Sequence, residues 1–308
     1  VRGGDVRGCV VSGNTQIAEA MGVGNTAGRT TVVEDCEFTG NQSVSDSGVA
    51  LGVGRGQRTG DVRVRRCTFT GNSSFIHGGA MTVGSSSQDP WVKIVVESCQ
   101  FTDNSVIQGG SGGAVYAYGA NIAFVDCVFR GNRAPSGNGG ALELEAAPWA
   151  DGTEWAAHVA RCTFIGNSAA RGGALYATGT NTTFLTPRPV RVSDCLFSGN
   201  HATLDGGGLY FVYLSPRLSN CTIVSNLSDH WGGGMTALGC DMGAIASSIA
   251  WDNADSVGRS QFAQVFDMDW APGLWSRIAH SNSTVMGWTG AYGLFSRCDG
   301  LDPAFTDP

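Results

Sequence analysis

Apolar and polar residues alternate in short runs along this chain, and no stretch follows the spacing of a helix. In one such run, Leu175 and Ala177 fall on one face of an extended strand, while Tyr176 and Thr178 fall on the other. Similar runs, apolar at their first and third positions, begin at Met81, Val115, Leu142, Leu209 and Met235. Each run predicts a short β-strand, here called the first strand of a repeat, that buries one face.

Two further strands follow in each repeat. The second strand ends on an apolar residue three positions before a cysteine, at Val33, Val64, Val96, Phe124, Val159, Val192 and Leu218. The alternation then breaks, and the cysteine is preceded by a polar residue such as Asp35, Arg66, Ser98, Asp126, Asp194 or Asn220. A polar residue at such a break predicts a bend. A third strand then points its cysteine and phenylalanine inward and ends near an asparagine.

The third strand belongs to a motif, Cys-x-Phe-x-x-Asn, that recurs along the chain. Copies begin at Cys36, Cys67, Cys99, Cys127, Cys162 and Cys195, and looser copies begin at Cys9 and Cys221. A repeat of this length is one supersecondary unit that cannot bury its apolar face alone, so neighbouring repeats must stack. The stacked asparagines predict a ladder of side-chain amides, and asparagine also tolerates the left-handed backbone that a sharp corner needs.

These features predict an all-β fold, a right-handed single-stranded parallel β-helix. We expect about nine to ten coils, with three short strands per coil and an aromatic-rich C-terminal cap. Residues 1–253 form the repeats, and residues 1–60 within them are degenerate N-terminal coils. Residues 254–308 form the final coil and the cap segment of the same domain, with one more coil around residues 277–285. The chain opens on a partial repeat, so we expect it to be a piece of a longer precursor.

The repeat also resembles a known family. Phe164 and Asn167, followed by Gly172-Gly173-Ala174-Leu175, are similar to the signature of the bacterial right-handed β-helix repeat proteins. The chlamydial polymorphic outer membrane proteins are the best-known members. The resemblance covers nearly the whole chain and implies a β-helix in a secreted or cell-surface setting. It implies no catalytic residue, because the shared motif is structural.

Charge and hydropathy narrow the choice of partners. The chain has 19 basic and 26 acidic residues, which gives a net charge of −7. This balance offers no electrostatic support for binding nucleic acid. No run of 18 apolar residues is present, so we predict no membrane-spanning segment. The sequence predicts no cofactor.

The ten cysteines divide into two groups. Eight occupy the same position of successive repeats and contain no Cys-x-x-Cys pair, so we predict a column of buried thiols and no metal site. Side chains stacked in register are too far apart for an undistorted disulfide. Cys240 and Cys298 lie outside the column, and a disulfide between them is an open alternative.

The outward face of the first strands is the candidate binding surface. Tyrosines beside carboxylates offer flat apolar faces and hydrogen-bonding groups to a sugar, and the pectate-lyase-like β-helices use the corresponding face by analogy. The candidate carbohydrate-binding residues are Tyr116, Tyr118, Glu143, Tyr176, Tyr210, Trp91, Trp149 and Trp155. Glu143 and Glu145 could act as an acid/base pair. The alternative is that both are solvated carboxylates without a specific role.

A second cluster lies at the corner formed by the glycines. Arg171 and Asp205 precede the glycine pairs of consecutive repeats, so we expect them to form an ion pair. Asp229, His230 and His201 lie nearby, where a surface ion-pair ladder competes with metal binding or acid/base chemistry. His77, at the same corner, has no carboxylate neighbour and is interpreted as structural.

The functional hypothesis is a secreted or cell-surface bacterial protein with a structural or adhesive role. Its partners would be copies of itself, in a filament or layer, or cell-surface glycans. The alternative is a polysaccharide-binding or polysaccharide-degrading protein that uses the outward face of the first strands. We do not expect an enzyme, because the signatures of polygalacturonase-type β-helices are missing from the sequence.

Overall fold

The chain winds around one axis as a parallel β-solenoid. The computed structural model describes residues 4–16, 19–24, 29–43, 50–54, 61–84, 93–119, 121–146, 157–179, 189–240, 243–268, 278–287 and 295–296. All pairs of neighbouring strands in this part of the chain are parallel, and each strand pairs with the equivalent strand of the next coil. Parallel crossovers of this kind are right-handed.

The first strands of successive coils form sheet 1, and the second strands form sheet 2. The nine strands of sheet 1 are Met21–Val23, Leu51–Val53, Met81–Gly84, Val115–Gly119, Leu142–Ala146, Leu175–Gly179, Leu209–Val212, Met235–Leu238 and Val265–Met268. The eleven strands of sheet 2 are Val6–Arg7, Thr31–Glu34, Val62–Arg65, Ile94–Glu97, Ile122–Val125, Ala157–Ala160, Pro189–Ser193, Ser215–Ser219, Gly243–Ala246, Ile278–Ser281 and Phe295–Ser296.

The third strands form sheet 3, and a short strand that the sequence did not predict forms sheet 4. The ten strands of sheet 3 are Val10–Ser12, Glu37–Thr39, Thr68–Thr70, Gln100–Thr102, Val128–Arg130, Thr163–Ile165, Leu196–Ser198, Thr222–Val224, Ile249–Trp251 and Thr284–Val285. The eight strands of sheet 4 are Thr15–Gln16, Gln42–Ser43, Ser73–Ser74, Ser105–Val106, Arg133–Asn138, Ser168–Arg171, His201–Ala202 and Leu227–Ser228.

The prediction of three strands per coil is therefore wrong. Most strands of sheet 4 have only two residues, and the buried one is small, as at Ser74 and Ala202. A run this short and weakly apolar has no recognisable alternation, which is why the sequence did not reveal it. The predicted number of nine to ten coils is also somewhat high, because only seven coils carry all four strands, counted from the first strand to the fourth.

The repeat changes at its C-terminal end. The coil that begins at Met235 has no strand in sheet 4, and a short helix, Gln261–Gln264, precedes the next strand of sheet 1, Val265–Met268. Ile278–Ser281 and Thr284–Val285 then add the extra coil predicted around residues 277–285. Most of the predicted aromatic cap lies outside the described residues.

Two left-handed positions turn the chain at the ends of the third strand. The residue before each cysteine has a positive φ, for example 55° at Asp35 and 57° at Asp194, which confirms the predicted bend. A second left-handed residue precedes each asparagine, usually a glycine such as Gly71 (61°) or Gly166 (62°). The ladder asparagines do not use their tolerance of this conformation, because the residue ahead of them, usually a glycine, adopts it at lower steric cost.

The asparagines form the predicted ladder. Asn132 Nδ2 donates to Asn167 Oδ1 at 2.9 Å, and the backbone amide of Asn132 donates to the same oxygen at 2.9 Å. Its Nδ2 also donates to the carbonyl oxygen of Phe101 in the preceding coil. The same pattern joins Asn14 to Asn253, where Gln264 Oε1 takes the place of the next asparagine. From Asn41 to Asn253 the ladder is buried, and its amide groups find their hydrogen-bond partners within the protein.

Phenylalanine and cysteine columns fill the core beside the ladder. Six rings stack along the axis with centroids 4.7–4.8 Å apart, those of Phe38, Phe69, Phe101, Phe129, Phe164 and Phe197. The eight cysteines of the repeat position are free thiols, and all except the half-buried Cys9 are buried. Burial raises the pKa of Cys36 to about 11 and that of Cys221 to about 12, so both thiols are protonated at neutral pH.

The second glycine of each pair allows consecutive coils to approach closely. A Cβ atom at Gly173 would lie 2.1 Å from the carbonyl oxygen of Gly207 and 2.5 Å from that of His201. We therefore expect Gly173→Ala to lower the free energy of unfolding by about 2 kcal/mol, the usual size of an overpacking penalty. Urea denaturation followed by circular dichroism would measure the change.

Gly84→Ala is the matched control for this prediction, because nothing lies within 4 Å of a Cβ atom there. It should change the free energy of unfolding by less than about 0.5 kcal/mol, as surface substitutions usually do. Equal losses in the two variants would show that close contact between coils does not explain the need for glycine.

Candidate functional site

The strand register of sheet 1 brings the candidate side chains together on its outward face. One row runs along the axis through Thr82, Tyr116, Glu143, Tyr176, Tyr210 and Thr236. A second, parallel row contains Tyr118, Glu145 and Thr178. Adjacent members of a row lie on neighbouring strands, so their side chains are in contact distance.

This face is far less exposed than the sequence suggests. Glu143 is 6% exposed and Tyr210 is 4% exposed, although both point away from the core of the solenoid. The interpretation of Glu143 as a solvated carboxylate is therefore wrong. Tyr116, Tyr118, Glu145 and Tyr176 are half-buried around it. We call the Glu143 carboxyl group and these four surrounding side chains the Glu143 recess.

Few polar groups compensate the burial of Glu143. The Ser111 side chain acts to lower the pKa of the carboxyl group, and its hydroxyl accepts a hydrogen bond from the backbone amide of Asn138 at 3.2 Å. In the described part of the chain, no hydrogen-bond partner reaches Glu143 Oε2. Burial raises the pKa of Glu143 to about 7, against the lowering effect of the Ser111 hydrogen bond. The group is therefore partly protonated at neutral pH.

Tyr116 and Glu145 form the other polar contact of the recess. The Tyr116 hydroxyl donates a short hydrogen bond to Glu145 Oε2. Tyr116 lies directly opposite Glu143 in the register, so its side chain passes alongside Glu143 to reach Glu145. Burial, followed by the hydrogen bond to Glu145, raises the pKa of Tyr116 well above its ordinary value. The phenol is therefore neutral and serves as a donor.

Stacked aromatic pairs lie on both sides of Glu143 along the axis. His77, one coil before Tyr116, stacks on the Tyr116 ring with a centroid distance of 4.3 Å. Tyr210, one coil after Tyr176, stacks on the Tyr176 ring at 5.5 Å. Because these partners lie on the sides facing away from Glu143, the opposite ring faces of Tyr116 and Tyr176 are directed towards it. The recess thus has aromatic walls and a carboxyl group at its base.

The sequence did not identify His77 and Ser111 as part of this site. Both lie at the glycine corner, where they form an isolated bridge with each other, and not on a first strand. His77 was interpreted as structural because it has no carboxylate neighbour along the chain. The sequence separation between His77 and Tyr116, one repeat plus a few residues, is the feature that could have placed His77 beside Tyr116.

The charge of the face limits its chemistry. None of the nine described strands of sheet 1 contains lysine or arginine, whereas Glu143 and Glu145 supply two carboxyl groups. Arg171, at the glycine corner, is engaged with Asp205, with its Nε 3.7 Å from Asp205 Oδ2. The arrangement can offer hydrogen bonds and aromatic surface, but it offers little to attract an anion.

The glycine-corner residues form separate pairs. Asp205 makes the predicted contact with Arg171, and its Oδ1 also lies 2.8 Å from His230 Nδ1. His201 Nε2 lies 2.9 Å from Asp229 Oδ1 in a second, more exposed pair. This arrangement agrees with the surface ion-pair ladder of the sequence analysis.

Several predicted residues lie outside the described part of the chain. These are Trp91, Trp149 and Trp155 of the candidate carbohydrate site, and Cys298 of the candidate disulfide. Cys240 is described and is buried. The disulfide and the tryptophan contribution therefore stay predictions.

The parallel coils with inward columns of asparagine, phenylalanine and cysteine define a right-handed β-helix repeat protein. Two family comparisons agree. Residues 2–129 match the model of the right-handed β-helix region, and residues 161–178 and 194–212 match the Chlamydia polymorphic membrane protein repeat. These matches confirm the resemblance seen in the repeats, and the second suggests a surface or outer-membrane location. Neither a curated protein nor a solved structure matches the chain.

The structure's described residues include no helix with the length and hydrophobicity of a transmembrane span.

Proposed function

We propose that this protein is a surface-displayed bacterial β-helix with a structural or adhesive role. In this role, the rod packs against copies of itself in a filament or layer, or it binds cell-surface glycans. The observation that carries the proposal is the uninterrupted asparagine ladder from Asn14 to Gln264. In this ladder the repeated motif serves to join successive coils into a rigid rod. The match to the polymorphic membrane protein repeat supports display at a surface.

Coated beads would test this role. We expect beads that carry the purified chain to aggregate with one another or to be retained on cell monolayers, because either contact is what a surface rod would provide. Beads coated with the heat-unfolded chain are the control. If folded and unfolded coatings behave alike in both assays, the structural or adhesive role is contradicted.

A second candidate function is polysaccharide binding or degradation at the outward face of sheet 1. The observation that favours it is the Glu143 recess, where a buried carboxyl group with an unpartnered oxygen lies between aromatic walls. Binding and product release should be measured on acidic and neutral polysaccharides with the unmodified chain and with Tyr176→Ala. No binding and no turnover by the unmodified chain would remove this candidate.

A further inference from the structure

We propose that the Glu143 recess binds a neutral, hydroxyl-rich glycan, and that the Glu143 carboxyl group donates a hydrogen bond to a ligand oxygen. This inference rests on the second proposed function, glycan recognition at sheet 1, and names its ligand class and its central residue. In this recess an unpartnered carboxyl oxygen, a partly protonated Glu143, a face without basic residues and two aromatic side chains all favour such a ligand.

The unpartnered oxygen is the geometric support. Glu143 is 6% exposed, and no described residue offers a hydrogen bond to its Oε2. A buried polar atom without a partner is costly, and native proteins contain few of them. Since this oxygen has almost no accessible surface, a ligand hydroxyl or ring oxygen supplies the missing partner only when the side chains around Glu143 move apart. The Ser111 hydroxyl, which accepts from the amide of Asn138 at 3.2 Å, is the polar side chain that lowers the pKa of Glu143.

The surroundings of Glu143 favour its neutral form. Burial is the main cause that raises its pKa to about 7, and the nearby Glu145 adds to it. The other titratable side chains that line the recess are the phenols of Tyr116, Tyr118 and Tyr176. Tyr116 donates to Glu145, and burial raises the pKa of Tyr176 to about 12, so neither of these two phenols carries charge near neutral pH. Glu143 is therefore a hydrogen-bond donor in mildly acidic solution and loses this capacity above its pKa.

The charge of the recess selects the ligand class. A polyuronate carries one carboxylate per residue, and it would meet Glu145 and the ionised fraction of Glu143 with no arginine or lysine on the strands of sheet 1. Like charges in a partly desolvated site repel each other strongly. A neutral sugar avoids this repulsion and still offers hydroxyl groups to both carboxyl groups.

The aromatic walls supply the apolar part of the site. The rings of Tyr116 and Tyr176 are each backed by a stacked partner, His77 and Tyr210. Backing of this kind fixes a ring before the ligand arrives, so little side-chain entropy is lost on binding. Sugar rings present flat C–H faces that pack on aromatic side chains, while their hydroxyl groups point outward.

The test is a binding titration of the purified chain with neutral hexasaccharides of glucose, mannose and N-acetylglucosamine, and with polygalacturonate. We expect at least one neutral hexasaccharide to bind, with affinity about 30-fold weaker at pH 8.5 than at pH 5.5, if only protonated Glu143 binds. Glu143→Gln keeps a donor that does not titrate, so its binding should be retained and independent of pH. Glu143→Ala should lose at least about tenfold in affinity at pH 5.5.

Glu37→Gln is the matched control, because Glu37 is an exposed carboxylate on sheet 3 and should leave binding unchanged. Melting temperatures of all variants would verify folding. Binding of polygalacturonate alone would overturn the ligand class but leave glycan recognition intact, whereas binding of no saccharide would remove the second proposed function itself. Neutral-glycan binding that is unchanged in Glu143→Ala would show that the site lies elsewhere.

Discussion

Replacing Asn132 by alanine should lower the free energy of unfolding by about 4 kcal/mol, the largest effect we expect from a single ladder residue. The substitution removes the donations of Nδ2 to Asn167 Oδ1 and to the Phe101 carbonyl. It also removes the oxygen that accepts from the backbone amide and the Nδ2 of Asn104. All these groups are buried, so water cannot replace the lost partner. Urea denaturation would measure the loss.

Asn220→Gly is the matched control for the ladder prediction. Asn220 is exposed, makes one side-chain hydrogen bond to Asp194 at 3.1 Å, and has a φ of 53° that glycine also adopts. Its replacement should therefore cost less than about 1 kcal/mol. A loss for Asn132→Ala as small as that of the control would mean that the ladder does not stabilise the rod.

The ladder illustrates how much of the fold could be predicted from sequence. Cys162, Phe164 and Asn167 stand at fixed positions of a repeat, and only a stacked arrangement places each above its equivalents. Repetition thus makes a long-range contact visible as a local spacing. This is why the parallel coils, the phenylalanine stack and the bends before the cysteines were predictable.

Features that occur once, or that leave no periodic pattern, were not predictable. The short strands of sheet 4 bury one small side chain each, so hydrophobicity does not mark them. Gln264 ends the ladder from a helix, and its Nε2 also donates to the carbonyl oxygen of Asn253. Nothing in the repeat indicates that a glutamine 11 residues further along the chain would take the place of an asparagine.

The candidate site was predictable in its membership and not in its environment. Alternation along the first strands correctly places Tyr116, Glu143 and Tyr176 on one outward face. It cannot show that Glu143 is buried, because burial depends on neighbouring side chains such as Ser111 and on the lean of Tyr116 towards Glu145. Alternation along a strand shows which face of the sheet a side chain points to. It does not show how far the neighbouring side chains extend over that side chain.

The burial of Glu143 has a consequence for stability that can be measured without any ligand. We expect Glu143→Gln to be more stable than the unmodified protein by about 3 kcal/mol at pH 8.5, and to differ little from it at pH 4. Burial raises the pKa of Glu143 from an ordinary value of 4.5 to about 7. The glutamine side chain has the shape of the protonated acid but cannot ionise.

The sign follows from proton binding. Between pH 4.5 and pH 7 the folded protein holds a proton on Glu143 that the unfolded chain has lost, so rising pH favours unfolding. The contribution of this group is therefore fully present below pH 4.5 and lost as the pH rises through 7. Other groups titrate in the same range, but they are shared by both proteins. The difference in free energy of unfolding between the two proteins isolates Glu143.

Urea denaturation at half-unit intervals from pH 4 to pH 8.5 would trace this difference, with Glu37→Gln as the matched control. Glu37 is exposed on the outward face of sheet 3, so its replacement should change the free energy of unfolding by less than about 0.5 kcal/mol. A flat difference curve for Glu143→Gln would mean that Glu143 ionises as readily in the folded protein as in the unfolded chain. In that case the recess would be open to water, and the argument that Glu143 donates a hydrogen bond to a glycan would fail with it.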